Sequence, residues 1–274
     1  MMFLKQSKER TERLKMKFFD SHAHYDDDAF QEDREDLLSS LQEKGVTHVV
    51  NVGADIASTK KTISLCEQYE FIYGAAGIHP EAADHISNKE LDWLREQYHH
   101  PKIVAVGEIG LDYYWKEVDP TVQKEVFAAQ LEFSKETKLP VIIHSRDASK
   151  DTLDMLQSFY KKSTLQGIIH CYSYSKETAR EYLDMELYFG IGGVISFANA
   201  KKLKEAVEYI PIENIVLETD CPYLAPVPYR GKRNSSLYLP EIGKELAAVK
   251  QLDFEEAMSI IYENTFRVYK IGRN

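Results

Sequence analysis

Cysteine is scarce. Cys66, Cys171 and Cys221 are the only three in 274 residues. An odd, widely spaced trio cannot form a disulfide framework, so a reducing compartment and a cytoplasmic location are expected. Positive charge is also in deficit: Lys plus Arg number 34 against 44 Asp plus Glu, a formal charge of −10. Coating duplex DNA through bulk charge is thereby excluded, while a local basic patch is not. No apolar run approaches the roughly 18 residues of a membrane span. The richest stretch, 188–200, is interrupted by Gly190, Gly192 and Gly193 and reads as a buried strand with its exit. The basic first seventeen residues lack the apolar core of a signal peptide. Internal repeats, low-complexity tracts and long linkers are missing too.

What is present is an ordinary globular composition, 43% apolar, 28% charged and 11% aromatic. Residues 1–16 read as an N-terminal extension, helical or frayed, and 17–274 as one domain. Eight short apolar, β-branched runs follow, at 18–24, 48–53, 72–79, 103–111, 141–145, 167–172, 188–197 and 215–220. Most are near-continuous rather than alternating, as parallel strands buried on both faces should be. Helical patterns separate them. Asp119-Pro120 is a cap with proline at the first helical position, leading Val122, Val126, Ala129 and Phe133. Leu37, Leu38 and Leu41 form a stripe stopped by Gly45; Leu153, Leu156 and Tyr160 form another, and Phe254, Met258, Ile261 and Thr265 mark a last helix. Eight strand–helix units predict an α/β fold, a single (β/α)8 TIM barrel. An open doubly wound sheet is the runner-up; closure is favoured because it leaves no edge.

Active sites of such barrels lie at the C-terminal strand ends. The first strand ends Asp20-Ser21-His22-Ala23-His24. Alternation places Asp20, His22 and His24 on one face, so two imidazoles can clamp one metal. Glu108 is an acid inside an apolar run, which is costly unless paired or metal-bound. The fifth strand ends at His144, the sixth at His170 and the eighth at Asp220. Any one of these could be a satisfied core residue. Four histidines and two acids from five strands, all at one end, read together as a metal site. Six N/O ligands exceed what one catalytic metal uses and suit two divalent cations sharing a carboxylate. Zn²⁺, Mn²⁺, Fe²⁺ and Mg²⁺ stay open, with imidazole richness leaning toward Zn²⁺ or Mn²⁺. Alternation turns Cys171 and Cys221 away into packing roles. His48 opens its strand and belongs at the opposite rim; His85, His99 and His100 fall in loops or helix ends. His79, in Gly77-Ile78-His79-Pro80, faces the mouth and reads as a substrate contact.

These residues resemble a known family. Phe19-Asp20-Ser21-His22-Ala23-His24, Gly77-Ile78-His79-Pro80, Gly107-Glu108-Ile109-Gly110-Leu111-Asp112-Tyr113, His144-Ser145-Arg146, His170-Cys171-Tyr172-Ser173 and Leu217-Glu218-Thr219-Asp220-Cys221-Pro222-Tyr223-Leu224 together resemble the TatD-type metal-dependent deoxyribonucleases, in order and spacing from 17 to 270. The resemblance implies His22, His24 and Asp220 around one metal, His144 and His170 around a second, and Glu108 bridging both. It also implies hydrolysis of DNA phosphodiester bonds, often from the 3′ end. Two departures stand out. Tyr229-Arg230-Gly231-Lys232-Arg233-Asn234 continues with Ser235-Ser236 where Glu-Pro is usual, and Tyr172-Ser173-Tyr174 stands where Phe-Ser-Gly is common.

On this reading a metal-bound hydroxide attacks phosphorus, with Asp220 as ligand and general base. Arg146, Arg230 and Arg233 would bind phosphate. Tyr113, Tyr172 and Tyr223 lie beside the mouth, where they could stack on bases of single-stranded or frayed 3′ ends, although with 17 tyrosines in the chain packing is the commoner role for any one of them. The alternatives are another ester or amide hydrolase on the same barrel, such as a deacylase of D-aminoacyl-tRNA, and a non-catalytic metal-binding scaffold. No membrane partner is expected; the oligomeric state is left open, and a monomer suffices.

Overall fold

The computed structural model describes residues 16–272; the expected extension therefore lies, all but Met16, outside the described residues. Eight parallel strands run β1 Phe18–Ala23, β2 Val46–Val52, β3 Ile72–Ala76, β4 Ile103–Asp112, β5 Val141–Arg146, β6 Gly167–Ile169, β7 Tyr188–Ile191 and β8 Ile215–Leu217. Each pairs with the next in sequence order. The circle closes through a parallel bridge between Ala23 and Cys221, flanked by His24 N–H to Cys221 O at 2.8 Å and Asp220 N–H to His22 O at 2.9 Å. The (β/α)8 barrel expected from the strand count is the fold.

The helices form where the sequence signals them. They are α1 Arg34–Leu41, α2 Ile56–Gln68, α3 Asn88–Gln97, α4 Pro120–Thr137, α5 Ser149–Tyr160, α6 Lys176–Leu183, α7 Lys201–Tyr209, α8 Leu239–Lys250 and α9 Phe254–Tyr269. Asp119 accepts from Thr121 N–H at 2.7 Å to cap α4, and Asp253 caps α9 in the same way. Asp55 with Ser58, and Ser87 with Glu90, close reciprocal boxes at the starts of α2 and α3. Among the described residues no helix is long and apolar enough to cross a membrane.

One apolar cluster gathers Phe19 of β1, Val50 and Val52 of β2, Ala75 of β3, Ala105 of β4, Ile142 of β5, Ile168 of β6 and Val216 of β8. Phe266 and Tyr269 of α9 join it. This is the barrel interior with the last helix packed beneath it. Each large apolar side chain so buried contributes about 1.5–3 kcal/mol. A second, larger cluster lies between strands and helices. Four strands stop three or more residues before their apolar runs do: β3 at Ala76, β6 at Ile169, β7 at Ile191 and β8 at Leu217. The rest of each run is mouth rather than wall.

His48 sits at the N-terminal rim, as its place at a strand start predicts. It lines a cavity of about 690 Å³ together with Thr47, Tyr73 and Phe266. Its ring packs 5.1 Å from that of Phe19 and 4.9 Å from that of Phe266. Burial first, then Lys17 and Lys102, push its pKa down to about 4. The unfolded chain binds a proton near pH 6.5. His48 therefore costs nothing above that pH, and opposes folding progressively as pH falls from 6.5 toward 4. The urea midpoint of wild type should decline more steeply over this window than that of His48→Gln. Parallel profiles for the two proteins would refute the burial assignment.

Candidate metal centre

β4 positions the centre. All ten of its residues are buried, and Glu108 among them is 3% exposed. The strand can pass so close to β5 because of Gly110: its φ is +147°, and a Cβ there would lie 1.9 Å from the His144 carbonyl oxygen. The close approach brings His144 Nδ1 to 2.8 Å from Glu108 Oε1.

The two oxygens of Glu108 face different partners. Oε2 lies 3.3 Å from His22 Nε2 and 3.8 Å from His24 Nε2. Oε1 faces His144, His170 Nε2 at 3.7 Å and His79 Nε2 at 3.8 Å. Asp220 Oδ1 lies 3.4 Å from His24 Nε2, 3.7 Å from His22 Nε2 and 3.8 Å from His170 Nε2. His22 Nε2 and His24 Nε2 are 3.0 Å apart. Two ligands bonded about 2.1 Å from one cation stand roughly 3.0 Å apart at octahedral angles and 3.4 Å at tetrahedral ones. The spacings within the His22, His24, Glu108 and Asp220 group thus fit ligands around one divalent cation.

The charge balance agrees with that fit. Burial would raise the Glu108 carboxyl, but His170 and His22 outweigh it and drive the group well below the usual range. Asp220 is lowered too, against its burial, chiefly by His170 and His24. Burial works against protonation of His24, His144 and His170, yet the carboxylates raise them to about 9, 9 and 10. His22 is lowered by burial and by His170, and burial and His144 bring His79 down to about 3. Two ionised carboxylates so largely buried demand positive charge, which protons or a bound cation can supply.

An outer layer orients the rings. His24 Nδ1 donates to Val52 O at 2.8 Å. His144 Nε2 is 2.9 Å from Asp112 Oδ2, and His170 Nδ1 is 3.0 Å from Glu218 Oε1. Glu218 passes so close to β7 that a Cβ on Gly190 would meet its Oε2 at 2.1 Å. Neither Asp112 nor Glu218 stands out as an orienting group in the sequence; Asp112 falls four residues after Glu108 and Glu218 two before Asp220, and those even spacings are the signal. Among the described residues neither His22 Nδ1 nor His170 Nδ1 has a hydrogen-bond partner, so Glu218 faces the latter as an ion pair.

Alternation misjudges two positions, Asp20 and Cys171. Asp20 does not join His22 and His24, because the register of β1 slips between Asp20 and Ala23. Its carboxylate instead accepts from Thr219 Oγ1 and Ser236 Oγ, each at 2.6 Å. Burial dominates there and lifts its pKa to about 7. Cys171 is not turned away: its φ is +46°, and its sulfur lies within 4.8 Å of donor atoms of His170 and Glu218. Asp220, at φ +56°, reaches the centre through a left-handed turn rather than as a strand residue. Cys221 is buried, as expected, and all three cysteines are free.

The expected substrate contacts scatter. His79 lies at the mouth, its ring 4.4 Å from that of His144. Arg146 is exposed, with its guanidinium 3.7 Å above the Tyr114 ring. Arg230 is exposed, 4.3 Å over Phe197. Arg233 is committed elsewhere, to both Asp33 oxygens and to Ala29 O. Tyr113 is half-buried and donates to Asp151 at 2.8 Å. Tyr223 is exposed, whereas Tyr172 is 2% exposed and packs edge-on against Phe189.

A family profile described as TatD related DNase matches residues 19–270. A Bacillus subtilis protein named uncharacterized metal-dependent hydrolase YabD is 40% identical over 254 residues, covering 93% of this chain and 99% of that one. A Musicola paradisiaca protein named 3'-5' ssDNA/RNA exonuclease TatD is 29% identical over 261 residues, covering 93% and 98%. The crystal structure of YJJV, a TatD homolog from Escherichia coli K12, superposes with a TM-score of 0.89 at 25% identity, covering 94% and 100%. A donor cluster of imidazoles and carboxylates at the mouth of a (β/α)8 barrel agrees with these likenesses, and the chain belongs to the TatD-related DNase family of metal-dependent hydrolases.

Proposed function

We propose that this hydrolase cleaves phosphodiester bonds at single-stranded or frayed 3′ ends of DNA, using two divalent cations. The division of Glu108 supports the pair: its Oε2 faces His22 and His24, while its Oε1 faces His144 and His170. His22, His24 and Asp220 would hold one cation, His144 and His170 the other, and Glu108 both. The imidazole-rich donor set favours Mn²⁺ or Zn²⁺ over Mg²⁺. Cations so held supply Lewis acidity toward the phosphoryl oxygens and make water acidic enough to ionise near neutral pH.

The chain's own groups do the rest. Asp220 is ionised at neutral pH. Its Oδ1 faces the imidazoles, and Oδ2 is the carboxylate's second acceptor. That oxygen accepts the proton of the attacking water. Arg146 and Arg230 make no ion pair among the described residues, so their in-plane N–H donors are available to phosphate. Arg233, held by Asp33 and Ala29, acts as a strut for the β8 loop. His79 is neutral and, through Nε2, offers a hydrogen bond at the mouth. The name of the Musicola relative supports a single-stranded nucleic-acid substrate.

Asp220→Asn should lower kcat on a single-stranded oligonucleotide at least roughly a hundredfold; turnover near wild type would reject the base. Mn²⁺ at about 100 times its Kd should stabilise the metal-stripped protein by about 2.7 kcal/mol, raising Tm by roughly 5–10 °C for a chain this size. Glu108→Ala should abolish the shift, and persistence of a full shift would place the cation elsewhere. Arg230→Ala should raise KM and flatten the salt dependence of KM, while Arg233→Ala should lower Tm and leave the salt slope alone. A reversal of those two outcomes would exchange the roles. A panel of single-stranded DNA, duplex DNA, RNA and aminoacyl-tRNA, each with chelator controls, tests the substrate class; hydrolysis of the aminoacyl ester alone would overturn the phosphodiesterase reading.

A further inference from the structure

Immediately beyond β4 two large aromatic side chains stand in solvent. Tyr114 is 50% exposed and Trp115 46%. Their rings meet edge to face, with centroids 4.9 Å apart at 89°. Arg146 lies across them, its guanidinium carbon 3.7 Å from the Tyr114 centroid and 5.8 Å from that of Trp115. The three side chains form one ledge.

The ledge is built into the centre's scaffold. Asp112, 1% exposed, accepts through Oδ1 from the backbone N–H groups of Tyr114 and Trp115, at 2.9 and 3.1 Å. Its Oδ2 holds His144 Nε2 at 2.9 Å. A single buried carboxylate therefore fixes both the aromatic pair and an imidazole that touches Glu108. Arg146 belongs to the same strand as His144, two residues on, and its carbonyl accepts from Tyr113 N–H at 2.9 Å.

Two aromatic rings left about half exposed sacrifice burial that ordinary packing would recover. A guanidinium stacked on a ring satisfies its face and leaves its edge donors free. Together they offer a π surface and a guanidinium fork side by side, the two chemistries that a nucleotide's base and phosphate require. Bases in a duplex are already stacked on each other, so only an unpaired base can use the surface. Arg230 and Tyr223 project from the segments after β8, across the barrel from β4 and β5. The ledge therefore serves the strand on one side of the scissile bond only.

We propose that Tyr114, Trp115 and Arg146 form a nucleotide subsite, in which an unpaired base stacks on the aromatic pair and its phosphate meets Arg146. The subsite makes the enzyme selective for single strands, and it rests on the nuclease reading given above.

Fluorescence anisotropy with a hydrolysis-resistant phosphorothioate oligothymidylate, and with the same strand made abasic, tests the ledge apart from turnover. Wild type should bind the thymidylate roughly 5- to 100-fold more tightly than the abasic strand, the range that one stacked base supplies. Tyr114→Ala/Trp115→Ala should bind both strands as weakly as wild type binds the abasic one. Tyr114→Phe/Trp115→Phe should keep the preference, and all variants should keep the wild-type Tm. Equal binding of the two strands by wild type, or an unchanged preference in the double alanine variant, would overturn the subsite. Hydrolysis of ordinary oligonucleotide without base preference defeats the ledge and leaves the nuclease reading. Base-selective binding without hydrolysis does the reverse.

Discussion

Everything at the barrel mouth depends on keeping an ionised carboxylate inside an apolar strand. Glu108 sits in the middle of β4, in a run of ten buried residues. Removing such a charge from water costs several kcal/mol unless partners compensate. The compensation comes from five imidazoles on four other strands or their exits, every one within 4 Å of a Glu108 oxygen. Those rings would crowd one another without it: His22 and His170 stack with centroids only 3.6 Å apart. Carboxylate and histidines are thus conditions for each other, and the barrel's closure is what lets residues so distant in sequence meet.

Around that core lies a second set of acids with a different task. Asp112 and Glu218 hold the far nitrogens of His144 and His170, fixing which nitrogen faces inward. Asp20 holds the barrel seam. It accepts from Thr219 of the β8 exit and Ser236 of the following loop, while Tyr25 OH donates to Ser236 Oγ at 2.8 Å and Ser236 N–H donates back to Tyr25 at 3.0 Å. The Ser235-Ser236 departure from the usual Glu-Pro is therefore built in: a proline at 236 has no N–H for Tyr25 and no hydroxyl for Asp20. Within this outer set, Asp20 stabilises the seam, while Asp112 and Glu218 touch rings and orient the centre.

The barrel itself was legible because its strands are buried on both faces and write themselves as apolar runs, and because Asp119-Pro120 and Gly45 mark helix ends by stereochemistry. The six donor residues were legible because polar side chains at the ends of such runs need a reason. What alternation could not supply was direction beyond the last strand residue. Strand β6 ends at Ile169 and β8 at Leu217, so Cys171 and Asp220 are aimed by left-handed backbone that no period of two describes. Asp20 is displaced by a slip in strand register. Exposure was equally hidden. Tyr172 and Tyr114 are the same residue type near the same mouth, yet one is locked against Phe189 and the other stands in water.

The arginines show how a protein of formal charge −10 can still present positive charge where it is needed. Three were available at the mouth by sequence, and their partners divide them. Arg233 turns its planar fork to Asp33 and Ala29, so its charge is paired and three of its five donors are used. Among the described residues Arg146 and Arg230 make no ion pair and lie over aromatic faces, Tyr114 with Trp115 and Phe197 respectively. Stacking consumes none of a guanidinium's in-plane donors, and it restrains a flexible side chain before any ligand arrives, which lowers the ordering cost of binding. A ring beneath an arginine is thus a way of storing an unpaired cation at the surface of an acidic protein. Where the ring itself is also exposed, as Tyr114 is, the same pair offers the apolar and the ionic half of a nucleotide site at once.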